Sequence, residues 1–150
     1  MQIEGQPNEE SNAYSLFLYA VRSPVTRDYY LRRLCSFFNH IGLLVNGNME
    51  KRCNLIAAKG TGDPNWAFHC IIKFLQFHRE RVEREEITGA TLRNSVKSIK
   101  LFCEMTDIPI AWKKITRGLP KSRRFADDRA PILEEIQWIC EYPDWRRKGV

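Results

Sequence analysis

The sequence predicts an all-α protein: a small four- to five-helix bundle, then a linker and a short helix. Three observations carry this. Apolar residues recur at helical spacing over 24–41, 64–84 and 89–105. Each of those stretches opens or closes on helix-boundary chemistry: Ser23-Pro24 and Gly42, Asp63-Pro64, and Thr88 with the later Ile108-Pro109 step. The chain has 150 residues, 43% hydrophobic and 28% charged, which suits one soluble domain with a real core or one domain plus a fragment of another.

Residues 1–12 hold Gly, Pro, Asn, Gln and Glu without an apolar period and are expected to be disordered. Residues 13–22 are apolar and short, and suit either a helical turn or an extended arm lying on the domain. In 24–41, Tyr30, Leu34, Phe37, Phe38 and Ile41 form the apolar stripe. Arg27, Arg32 and Arg33 lie off it. A shorter helix is expected at about 48–58, with Asn48, Lys51, Arg52 and Lys59 on its polar face. The next helix, from Pro64 to about Arg84, has the longest apolar stripe (Trp66, Phe68, Ile71, Ile72, Leu75 and Val82) and is expected to be the central core helix. Its tail alternates charge sign and reads as a solvated end. Leu92, Val96, Ile99, Phe102 and Cys103 give 89–105 its buried face. Ile110, Trp112 and Ile115 form a short sealing turn, ended by Gly118 and Pro120. Residues 121–130 have linker composition. A last helix opens at Pro131, with Ile132, Ile136 and Ile139 as its apolar face.

The charge is unevenly placed. The chain carries a net +6. Between Ile87 and Arg124 stand Arg93, Lys97, Lys100, Lys113, Lys114, Arg117, Lys121, Arg123 and Arg124, against Glu104 and Asp107 alone. Arg93, Lys97 and Lys100 are spaced i, i+4 and i+7, so one helical face is basic and the opposite one apolar. A basic helix followed by a basic strap suits the phosphates of a duplex.

Composition also excludes. No stretch has the length of apolar sequence needed to span a bilayer. The polar, acidic N-terminus is no signal peptide, so a cytoplasmic protein is expected. Cys35, Cys53, Cys70, Cys103 and Cys140 form no C-x-x-C pair, and His40, His69 and His78 share no ligand spacing with them. Reduced thiols, no metal and no cofactor are expected.

The order of landmarks resembles the N-terminal part of a tyrosine recombinase of the phage-integrase family, particularly its archaeal integrase-like members. They are the helix opening S-P-x-T-x-x-x-Y-x-x-x-L, the segment S-V-K-S-I-K-x-F-C-E, the closing I-x-W-K-K-I-x-x-x-L-P, the basic linker, and R-A-P-I-L-E-E-I-Q-W-I-C. The resemblance covers 23–150 and rests on helical landmarks, not on a catalytic motif. After an N-terminal arm at 1–22, which the composition suggests, it implies a SAM-like core-binding domain at 23–120, a basic linker at 121–130 and the truncated start of a catalytic domain at 131–150. The partner implied is double-stranded DNA, held in a clamp. The contacts carried over are Arg93, Lys97 and Lys100, then Lys51 and Arg52, with Lys121, Arg123 and Arg124 as the strap. Asn94 and Ser95 lie where they could reach base edges or sugars.

The family's catalytic arginines, lysine, H-x-x-R and nucleophilic tyrosine cannot be placed on this sequence. Tyr142 stands at a helix break, and Arg146 and Arg147 have no matching frame. The chain is therefore expected to bind DNA, as a monomer that assembles with others on DNA if at all, and not to cleave it. With about six phosphates neutralised, log K would fall with log salt at a slope of roughly −5. The alternative is a basic helical protein-interaction module, docking through 13–22 and 132–140.

Overall fold

The computed structural model describes residues 12–42, 48–121 and 130–141. They form α1 (Ala13–Tyr19), α2 (Pro24–Ile41), α3 (Met49–Gly62), α4 (Pro64–Glu83), α5 (Gly89–Met105), α6 (Trp112–Arg117) and α7 (Leu133–Glu141), with no strand among the described residues. The protein is an all-helical bundle.

Local chemistry sets most boundaries. Ser23 Oγ accepts from the Thr26 amide, Asp63 Oδ1 from Trp66 and Thr88 Oγ1 from Thr91, each satisfying a first-turn donor. Gly42 closes α2 at φ 78°, a left-handed position that costs glycine nothing. The end of α5 uses Asp107 in that role, at φ 56°, while the Ile108 amide reaches back to the Cys103 carbonyl at 2.9 Å.

Segment 13–22 resolves in favour of helix. Asn12 caps α1, and the Ala13 amide donates to Asn54 Oδ1 of α3 at 2.9 Å. Arg27 Nη2 donates to the carbonyls of Leu18 (3.3 Å) and Val21 (2.9 Å), closing the far end. Phe17 is fully buried, and α1 packs on α3 and α5.

The centre is α5, not α4. It packs against α1, α2 and α4, and buries Leu92, Val96, Ser98, Ile99, Phe102 and Cys103. Phe102 meets Phe17 and Phe38 edge-on, with centroids 6.0 and 5.5 Å apart. On α4 the buried residues are Ala67, Ile71, Phe74 and Leu75, while Trp66, Phe68, Ile72 and Val82 are only half-buried. The helix is apolar on more than one side, and the side that turns inward is the one facing Phe37, whose ring lies 5.3 Å from Phe74.

Helix α3 runs past its expected end at 58 to Gly62. A Cβ on Gly60 would lie 2.7 Å from Ile108 Cδ1, so the glycine is a packing site inside the helix rather than a stop. Helix α7 starts two residues after Pro131, with Glu135 Oε2 accepting from the Ile132 amide. None of its residues is buried.

Candidate nucleic-acid interface

Burial of Leu92, Val96 and Ile99 fixes the rotation of α5 about its axis, and this turns 93, 97 and 100 away from the core. The three cations then meet different fates. Lys97 is exposed and has no ion pair among the described residues. Lys100 lies 3.8 Å from Glu104, an exposed contact of little energetic weight that still offsets part of its charge. Arg93 is half-buried: its Nη2 donates to the Pro120 carbonyl at 2.7 Å, and its Nε is enclosed without a partner.

Lys121 is exposed at the N-terminal end of the same face. A Cβ on Gly89 would meet Pro120 Cγ at 3.7 Å and the Lys121 carbonyl at 3.8 Å, so Pro120 and Lys121 lie beside the first turn of α5. Arg123 and Arg124 lie outside the described residues. Between α5 and the strap, α6 buries Ile115 and exposes Lys113, Lys114 and Arg117, with no acidic residue in the helix. From sequence, Lys113 and Lys114 stand only in the charge total and in the motif I-x-W-K-K-I-x-x-x-L-P, and Arg117 only in the charge total; none is among the expected contacts. The signal that could have singled them out is an acid-free helix with one buried position. Lys97, Lys113, Lys114, Arg117 and Lys121 are thus exposed cations without ion pairs among the described residues.

Elsewhere cations are more often matched. On the tail of α4, Arg79 pairs with Glu83, Arg81 with Glu86, and Arg84 with Glu80 and Glu86. On α2, Arg32 and Arg33 lie 5.9 and 5.7 Å from the Tyr29 ring. Lys59 stands 4.4 Å over Trp66. Arg22, Lys51 and Lys73 are exposed without an ion pair among the described residues, as single cations on separate segments.

Arg52 departs from the expectation that it faces phosphate. It is 8% exposed. Its guanidinium donates to Asn39 Oδ1 at 2.5 Å and to Cys35 Sγ at 3.5 Å, and sits 5.7 Å from the Phe38 ring. The cause is helical geometry: Arg52 precedes Ile56 by one turn and shares its inward face, whereas Lys51 does not. Ser95 is also engaged, its hydroxyl donating to the Thr91 carbonyl at 3.2 Å, and Asn94 is half-buried.

Burial perturbs several of the other titratable groups. Burial pushes the thiols of Cys53 and Cys103 up to about 12; at Cys53 the neighbouring Arg52 opposes the rise and Glu50 adds to it. Burial, with Arg81 and His40 nearby, lowers the basicity of His78, which stacks on Phe74. Among the described residues no group of three or more His, Cys, Asp or Glu could hold a metal ion. No described helix is long and apolar enough to cross a membrane. A groove of about 480 Å³ runs between α1, α3 and the end of α5. Asn54, Thr61 and Thr106 on its walls are already hydrogen-bonded, and among the described residues Asp107 is its one titratable lining residue. That wall offers no acid–base pair.

Compared with protein-family models, with curated proteins and with solved structures, the chain gives no match.

Proposed function

We propose that the bundle is a duplex DNA-binding module of the kind tyrosine recombinases carry ahead of their catalytic domain. The observation that supports it best is the run of uncompensated cations on α5, α6 and the strap: Lys97, Lys113, Lys114, Arg117 and Lys121. Those on α5 and α6 project from helices that also bury core residues, so a phosphate backbone would meet side chains on elements already held in place. In this reading Lys100 contributes less because of Glu104, and Arg52 does not contribute. Strand cleavage is not part of the proposed role.

The test is fluorescence anisotropy of a labelled duplex across a salt series, for the wild type and for Lys97→Gln/Lys113→Gln/Lys114→Gln. Four to five phosphate contacts give a slope of roughly −4, and the triple variant flattens it by about 3. No binding at low salt sinks the proposal, as does an unchanged slope in the variant.

One observation favours a second reading, the protein-interaction module. Leu133, Trp138 and Ile139 of α7 are 71%, 80% and 69% exposed. Binding to DNA that survives the triple substitution, or none at all, would move the function to that helix.

A further inference from the structure

We infer that Arg93 is a positioning residue, a clamp that holds Pro120 and Lys121 against α5 and acts on DNA through Lys121 rather than by meeting phosphate itself. This rests on the DNA-binding reading for its function, but not for its structure.

Arg93 Nη2 reaches across 27 residues of sequence to the Pro120 carbonyl at 2.7 Å. The Leu119 amide is bound to the Thr116 carbonyl, within the last turn of α6. Pro120 has no N–H to donate. Among the described residues, no other hydrogen bond ties Pro120 or Lys121 to the bundle. Arg93 is half-buried with Nε enclosed, and Pro120 lies in van der Waals range of a Cβ built on Gly89. A guanidinium directed at a protein carbonyl, with an inner donor shut off from solvent, is poorly placed to fork onto a phosphate. What it does is fix where Lys121 leaves the bundle. Gly89 and Lys97 are eight residues apart on α5, so the strap starts about 12 Å along the helix from Lys97 and extends its row of charge. Lysine at 93 would keep the charge but replace the planar fork with a strongly hydrated ammonium.

The experiment uses the full chain as wild type, Arg93→Lys, Arg93→Gln, Lys121→Gln and the Arg93→Gln/Lys121→Gln pair. Circular dichroism melts confirm the fold of each. Without DNA, brief trypsin digestion is read by mass spectrometry as the ratio of cleavage after Lys121 in each Arg93 single variant to that in the wild type. Both Arg93 variants should raise this ratio by about fivefold or more, since cleavage needs the strap released. With DNA, Arg93→Gln should weaken binding by about fivefold, Arg93→Lys should weaken it nearly as much, and the pair should match Lys121→Gln within about twofold, the non-additivity of residues acting as one unit. Wild-type affinity in Arg93→Lys, or losses that multiply in the pair, would make Arg93 a phosphate contact and overturn the clamp. An unchanged cleavage ratio would overturn it as well. A raised ratio with no DNA binding by any protein would leave the clamp standing while removing its role on DNA.

Discussion

Arg52 offers a way to separate stability from binding, because the sequence points it outward and the structure turns it in. Arg52→Met keeps an unbranched side chain of similar length in the same slot. It removes the hydrogen bond to Asn39 and the weaker one to Cys35. A hydrogen bond from a charged donor is worth about 1.5–3 kcal/mol, and the guanidinium over Phe38 adds about 1. Against this, the wild type holds Nε buried without a partner, and removing that group returns about 1–2 kcal/mol. The net loss is about 1–2 kcal/mol, or roughly 5 °C in Tm.

The assay is thermal and urea unfolding, paired with duplex binding measured well below the transition. Stability should fall while affinity and salt slope match the wild type. A variant with unchanged melting and a slope shallower by about one would refute the inward placement, since that is what losing a single phosphate contact produces.

Two other perturbations test the core. Phe102→Ala removes the ring that Phe17 and Phe38 pack against, and should cost about 3–5 kcal/mol, read as a lower urea midpoint at unchanged m. The thiols should divide by burial. Under native conditions Cys140 reacts first with a disulfide reagent, Cys35 and Cys70 more slowly, and Cys53 and Cys103 only on unfolding; early labelling of either buried thiol would contradict their placement. The same two groups carry a pH signature. Their thiols keep a proton in the fold up to about 12, whereas the unfolded chain gives it up from its ordinary value of 9.0. Their contribution is therefore fully present below pH 9 and is lost as pH rises toward 12, so unfolding midpoints should drop across that window.

Features written within three or four residues of each other were legible from sequence. Ser23, Asp63 and Thr88 cap helices because the hydroxyl or carboxylate meets an amide three residues on, and Gly42 stops one because its own backbone allows it. The buried face of α5 was legible for the same reason: Leu92, Val96, Ile99 and Cys103 keep strict period. What failed needed a distant partner. Arg52 and Lys51 are neighbours with opposite fates, decided by Asn39 and Phe38 on another helix, although the Arg52–Ile56 spacing was a usable hint. Gly60 reads as a breaker until Ile108 is seen to occupy the space beside it. Arg93 matched the basic period and still turned toward Pro120, a contact no local pattern announces.

The fate of the guanidiniums bears on what kind of DNA binding this surface could support. Arginine is the side chain that forks onto the O6 and N7 of guanine, while lysine acts as a strongly hydrated point charge. Arg52 and Arg93 are both held by protein carbonyl or amide oxygens, and Arg32 and Arg33 lie against Tyr29. The exposed, unpaired cations of α5, α6 and the strap are four lysines and Arg117. On the proposed DNA-binding reading such a surface would neutralise phosphates and read little sequence, because phosphate contacts set register and base contacts specify. In the anisotropy series, two unrelated duplexes of equal length should therefore bind with similar affinity and the same salt slope. A preference of a hundredfold or more, equivalent to about 2.7 kcal/mol, would require base contacts beyond hydrated lysine charges, and would assign recognition to Arg117 or to another face of the bundle.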